Sequence, residues 1–205
     1  MATLFFDTAC GAFALKGTDW KPHCVRLAAI VEHDGEIIDS VSMLVRPEPG
    51  WAIEASAAPY HKATKHDFAA EGVSIIVLAH TMETLLKDAT RIVCYNSPFH
   101  TRLLKHIFID AGIPVPSLPP ITCAMVEATP IMKLVSMRFG TWKSPKLTEA
   151  YKYFTGTEMP VMETWEPFGR MQVQAARDVY NAIQARKAKK PDPGAVSVAR
   201  TDLGF

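Results

Sequence analysis

A chain of 205 residues with 48% apolar and 21% charged side chains carries enough apolar material for one domain with a full core, which excludes a disordered or low-complexity protein. Its 22 basic and 21 acidic residues nearly cancel, so no global field grips a polyanion and any nucleic acid must be held locally. The four cysteines, Cys10, Cys24, Cys94 and Cys123, have no C-x-x-C spacing and read as buried thiols of a reducing compartment, not as zinc ligands.

The opening "MATLFFDTACGAF" has no basic leader, and no run approaches the ~18 apolar residues of a membrane span. The expectation is a soluble cytoplasmic protein with no membrane partner. "TLFF" (3–6) suits a strand buried on both faces and delivers Asp7 to its end. "VRLAAIV" (25–31) and "EIIDSVSMLVRP" (36–47) flank Asp34-Gly35, a strong hairpin signal, so the first third reads as three antiparallel strands.

From Glu54 the spacing becomes helical through "EASAAPYHKAT" and "VSIIVLAHTMETLLKDA", with Leu78, Met82, Leu85 and Leu86 on one face. "TRIVCYN" (90–96) is a fourth strand ending at Asn96. "SPFHTRLLKHIFIDAGI" follows as a helix with Ser97 as N-cap, Pro98 in the first turn and Gly112 at its end. "SPKLTEAYKYFTG" (144–156) is another helix closed by Gly156, and "RMQVQAARDVYNAIQARKAKK" is the last, with Val173, Ala176, Tyr180 and Ile183 inward. These elements fill a single domain over 1–190, and "PDPGAVSVARTDLGF" (191–205) reads as a flexible tail. The order predicts an α/β fold, a mixed sheet covered by helices, with ligands gathering at the carboxyl ends of central strands near Asp7 and Asn96.

Asp7-Thr8, "IVCYNSPFHTRLLKHIF", "ITCAMVEATPIMKL", "WKSPKLTEAYKYFTG" and "AARDVYNAI", in this order, resemble the DnaQ-like (DEDD) 3′–5′ exonucleases over about residues 3–185. The resemblance implies a ribonuclease H-like fold and a two-metal site. In such a site two ions roughly 4 Å apart activate water and stabilise the leaving oxygen at a phosphate. Four carboxylates hold the ions, because Mg²⁺ and Mn²⁺ prefer oxygen ligands, and a histidine serves as general base.

Matched residue by residue, the family's pattern is largely replaced. Its D-x-E motif is Asp7-Thr8-Ala9 here. "NSPFH" keeps Asn96 and Phe99 but puts His100 in place of the second aspartate. Anchoring the last motif on "RDVY" (177–180) sets Pro167 at the histidine and Gln172 at the aspartate; a rival register makes Asp178 the aspartate and Val173 the histidine position.

The leading expectation is therefore a catalytically inactive pseudoenzyme, an exonuclease homologue that binds single-stranded DNA or RNA 3′ ends or a protein partner. No cofactor is expected, with Mg²⁺ or Mn²⁺ required if the chain is active. One alternative is an active exonuclease using Asp7, Asp178 and Glu163 or Glu166; another is a protein-interaction scaffold or inhibitor.

Asp7 is a remnant metal contact or a cap on neighbouring backbone. His100 is a second candidate ligand beside it, weighed against a histidine at a helix start or on the surface. The candidate nucleic-acid contacts are Thr8, Asn96 and Phe99, together with His61 in a loop that also holds His66. "GTWKSPK" (140–146) interleaves Trp142 with Lys143 and Lys146, the composition that stacks a base and meets phosphates, or else packs Trp142 on the core. "RKAKK" (186–190) reads as a solvated helix end.

Overall fold

The computed structural model describes residues 1–13, 21–136 and 141–189. The stretch 191–205, expected to be a flexible tail, lies outside the described residues.

The sheet begins with β1 (Ala2–Cys10), β2 (Cys24–His33) and β3 (Glu36–Leu44), and is completed by β4 (Arg91–Cys94) and β5 (Ile121–Cys123). Its order is β3-β2-β1-β4-β5. β1 runs antiparallel to β2 and parallel to β4, and β4 runs parallel to β5, so the sheet is mixed and β1 is central. The hairpin between β2 and β3 turns at Asp34 and Gly35, with φ of 50° and 90°. Both angles are positive, which is the two-residue turn whose twist matches the flanking strands and which Asp-Gly adopts at low cost.

Helices cover both faces. On one lie α3 (Ile75–Lys87) and α4 (Ser97–Asp110). Leu78, Met82, Leu103, Leu104, Ile107 and Phe108 pack there against Leu4, Phe6, Leu27, Ala29 and Ile92. On the other lie α5 (Ala124–Met132), α6 (Leu147–Thr155) and the long α7 (Trp165–Lys189). Val173, Ala176, Val179, Tyr180 and Ile183 pack there against Phe5, Ala28, Ile30 and Val93. The alternation of Leu4 and Phe6 with Phe5 is the period of two that a strand imposes. The same alternation fixes where the polar residues of β1 and β2 point.

Several sequence expectations are corrected. β1 runs to Cys10, well beyond "TLFF", because Asp7 and Thr8 find polar partners inside the fold and need not end the strand. The helical stretch after Glu54 is a short turn (Ala55–Ala57) and one turn of helix α1 (Ala58–His61), stopped where Lys62 takes φ 58°. A separate helix α2 (Lys65–Glu71) follows, closed at its start by reciprocal bonds between Thr64 and Asp67. α4 is entered from Asn96 at φ 66°, so Asn96 and not Ser97 is the cap residue. β5 is three residues long, too short for any periodicity to announce it.

The cysteines are all free thiols. Cys10, Cys24 and Cys94 are buried and Cys123 half-buried. Burial pushes the Cys10 thiol up to about 11 and that of Cys24 up to about 12. No helix among the described residues is long and apolar enough to cross a membrane.

The face of α3 sets a test of the core. Leu78 is fully buried and Ile76 is 51% exposed. Leu78→Ala is expected to lower stability by about 2–5 kcal/mol, whereas Ile76→Ala should change it by less than about 0.5 kcal/mol. Urea unfolding of the two variants measures the difference.

Candidate functional site

The parallel pairing of β1 with β4 brings Asp7 and Asn96 to the same end of the sheet. There they open into a cleft of about 700 Å³.

Its floor is set by strand register. Asp7 pairs with Ala28 and Ala9 with Arg26 across the β1–β2 ladder. Side chains opposite one another on antiparallel strands share a face. Asp7, Ala9 and Arg26 therefore project toward α7, on the face that buries Phe5 and Ala28. The methyl group of Ala9 leaves room beside Asp7, and the guanidinium of Arg26 takes it. Arg26 Nη2 donates to Asp7 Oδ2 at 2.7 Å and to the Tyr60 carbonyl at 3.2 Å. The Phe168 ring covers the guanidinium with its centroid 5.3 Å from Cζ. Gly169 completes the fit, since a Cβ there would lie 2.4 Å from Arg26 Nη1. Arg26 is only 1% exposed. Its Nε and Nη1 are buried with no hydrogen-bond acceptor among the described residues.

The second floor residue is His100, in the first turn of α4 and buried, not at the surface. Its Nδ1 accepts the Thr8 backbone N–H at 3.1 Å and lies 2.9 Å from Thr8 Oγ1. An Nδ1 that accepts must carry no proton, so the neutral ring has its hydrogen on Nε2. That nitrogen faces Asp7 Oδ1 at 3.5 Å. Burial holds the imidazole below its usual pKa; Asp7 opposes this and the Arg26 charge adds to it. Both oxygens of Asp7 thus face a resident group of the protein.

The walls are largely apolar and aromatic. Phe13, Tyr60, Phe99 and Phe168 line them with Met125 and Pro145, and Lys146 stands at the rim. Phe13 meets Tyr60 edge-on at 5.1 Å, and Tyr95 donates its hydroxyl to the Pro145 carbonyl at 2.8 Å. Burial pushes the Tyr95 phenol far above its ordinary range, so it stays protonated.

The structure gathers most of the candidate residues and leaves some out. Asp7, Thr8, Ala9, Asn96, Phe99, His100, Lys146 and Gln172 all line the cleft. Pro167 lies in the first turn of α7 off the lining, and Phe168 is the residue that faces in. His61 is buried and not on an exposed loop; its Nδ1 accepts from the Ala63 N–H at 3.0 Å. Burial, with the nearby charge of Arg26, holds its pKa below the usual value. His66 is exposed on α2.

Trp142 is 50% exposed, away from the cleft and not packed on the core. Lys143 pairs with Glu149 at 2.9 Å. The rival carboxylates lie elsewhere too. Asp178 accepts from Gln174 at 2.7 Å, Glu163 faces Lys62 at 3.6 Å and Glu166 pairs with Arg170. It is Gln172, not Asp178, that faces the floor.

Sequence reasoning missed Arg26, Phe13, Tyr60, Tyr95 and Phe168. For Arg26 a signal existed: a lone charge inside the apolar run "VRLAAIV" must find a partner if that run is buried on both faces.

This donor set does not fit the divalent ions that the resemblance implies. Asp7 is the one carboxylate among the described residues that line the cleft, and a guanidinium already neutralises it. Among the described residues no group of three or more His, Cys, Asp or Glu side chains converges as a metal site.

Neither a protein-family model nor a curated protein matches the sequence. Solved structures do. A product-bound exonuclease I matches with a TM-score of 0.72 and 15% identity, over 91% of this chain and 44% of that one. E. coli exonuclease I in complex with an oligonucleotide gives a TM-score of 0.70 and 14% identity, over 91% and 41%. An ExoI/SSB-Ct complex gives 0.72 and 15%, over 91% and 42%. The chain therefore spans less than half the length of the structures it matches. At these identities the likeness establishes architecture: the chain has the mixed-sheet, ribonuclease H-like fold of exonuclease I.

Proposed function

We propose that this chain is an exonuclease-like protein without hydrolytic activity that holds the ends of single-stranded nucleic acid in the cleft at the end of β1. The observation that carries the reading is the cleft itself: a nuclease-type fold whose strand end presents one carboxylate, already paired, within walls of aromatic side chains.

Hydrolysis of a phosphodiester on this fold requires oxygen ligands for its metals, a base to take a proton from water, and stabilisation of the leaving oxygen. Asp7 is committed to Arg26. His100 has Nδ1 occupied by Thr8 and a hydrogen on Nε2, so neither nitrogen is free to take a proton. Gln172, an amide, offers no charge to a cation.

What the cleft retains is suited to binding. Phe99, Tyr60 and Phe13 offer faces on which bases stack without regard to sequence, and Lys146 stands where a backbone phosphate would pass. Asn96, exposed at the start of α4, also lines the cleft. That E. coli exonuclease I, of the same fold, has been solved with an oligonucleotide supports this class of ligand.

In a digest of 3′-labelled single-stranded DNA and RNA with excess protein, in Mg²⁺ and then Mn²⁺, the expected result is intact substrate that is retarded at low salt. Stepwise shortening that is lost in Asp7→Ala would replace this reading with that of an active exonuclease. Intact and unretarded substrate would move the search to protein partners.

Phe99→Ala is expected to weaken retention by roughly 5- to 150-fold, the worth of one stacked base. Lys146→Ala should reduce the slope of log affinity against log salt by about one.

The histidine chemistry adds a stability test. The folded-state pKa of His100 lies below its ordinary 6.5, so the unfolded chain binds the proton more readily. Stability from this group is complete above that value and is lost as pH falls from it toward the folded pKa. His61 shifts in the same direction and adds to the loss. The urea midpoint should therefore fall on acidification below 6.5, and His100→Gln should flatten part of that fall, as unfolding curves over a pH series would show.

A further inference from the structure

We infer that the guanidinium of Arg26 occupies the place of a divalent cation in this cleft, closing the site to Mg²⁺ and Mn²⁺ and making its hold on a strand end independent of metal. The inference deepens the reading of the cleft as a strand-end site and rests on it.

Three observations converge. The first is position. Arg26 Nη2 sits 2.7 Å from the Asp7 oxygen that a cation would need, and the other oxygen faces His100 Nε2 at 3.5 Å. A divalent ion on Asp7 would have to share its ligand with a fixed positive charge.

The second is space. The guanidinium fits because Ala9 is small across the ladder and because Gly169 has no Cβ, which would come within 2.4 Å of Nη1. Small residues on two separate elements, β1 and α7, make one arginine-shaped cavity. Phe168 closes it from the side.

The third is charge. One carboxylate balanced by one guanidinium gives a neutral floor, whereas two divalent ions require several carboxylates for the same balance. Arginine cannot lose its proton in a protein, so the replacement is permanent at any working pH. Two of its nitrogens, Nε and Nη1, go without an acceptor among the described residues. Its burial is therefore explained by the charge of Asp7 and the cover of Phe168, and not by a complete set of hydrogen bonds.

The test reads metal and strand binding separately on the wild-type protein. Manganese EPR should show no loss of the free Mn²⁺ signal on adding protein. Retardation of a single-stranded oligonucleotide should be unchanged between EDTA and Mn²⁺. Ala9→Glu with Arg26→Ala, which leaves two carboxylates on one face of β1 and no guanidinium, should gain saturable Mn²⁺ binding.

Circular dichroism of each variant establishes that it is folded, and the wild-type titration stands without any variant. Saturable Mn²⁺ binding by the wild type that is lost in Asp7→Ala would overturn the inference. So would retention that strengthens with Mn²⁺, or a folded double variant that still excludes the ion. Exclusion of Mn²⁺ without any retention of the oligonucleotide would uphold the role of Arg26 while refuting the strand-end reading.

Discussion

A guanidinium that is 1% exposed must meet an opposite charge or the fold cannot keep it, and Asp7 is where Arg26 meets it. The end of the central strand is arranged around that requirement. The ladder between β1 and β2 sets the two side chains on one face. The turn carrying α1 supplies the Tyr60 carbonyl, and the first turns of α7 supply Phe168 as cover and Gly169 as clearance. Breaking such a pair by removing one partner leaves a buried charge uncompensated, at a cost of about 3–5 kcal/mol. The pair thus ties two strands and two helical segments to a single electrostatic contact, in the place where the resemblance would have put a metal.

His100 extends the same logic to the other oxygen of Asp7. Thr8 determines its tautomer by engaging Nδ1 with both backbone and hydroxyl, and that leaves Nε2–H directed at the carboxylate. Phe6 and Phe99 each meet the ring edge-on. The result is a floor of Arg26, Asp7, His100 and Thr8 that is close to neutral, with both oxygens of Asp7 facing a resident group. On the proposed reading, an aromatic cleft over a neutral floor would favour bases and sugars over bare phosphates, with Lys146 at the rim as a cationic contact for a backbone.

Much of this was legible from the residues. The continuous apolar runs of β1 and β2, the Asp34-Gly35 turn and the helical stripes of Leu78 and Met82 and of Val173, Ala176 and Tyr180 predict a mixed sheet with helices, because each pattern reports a local backbone geometry. Asp7, Thr8, Asn96, Phe99, His100 and Gln172 line one cleft, since motif spacing along strands and helices translates directly into position. Trp142, Lys143 and His61 lie off its lining, because local composition does not say which partner a side chain will turn to. Lys143 turned to Glu149, and His61 turned inward to the backbone of Ala63.

The sequence by itself placed a carboxylate, Asp7, on a central strand and uncharged residues, Ala9 and Gln172, where the resemblance would set its metal-binding companions. Only the tertiary structure decided what that carboxylate would face. Arg26, 19 positions away along the chain, becomes the neighbour of Asp7 through ladder register, and the room for it is made by Gly169, far beyond either strand. Register and clearance depend on how β1, β2 and α7 pack together, and no local pattern within any one of them encodes it.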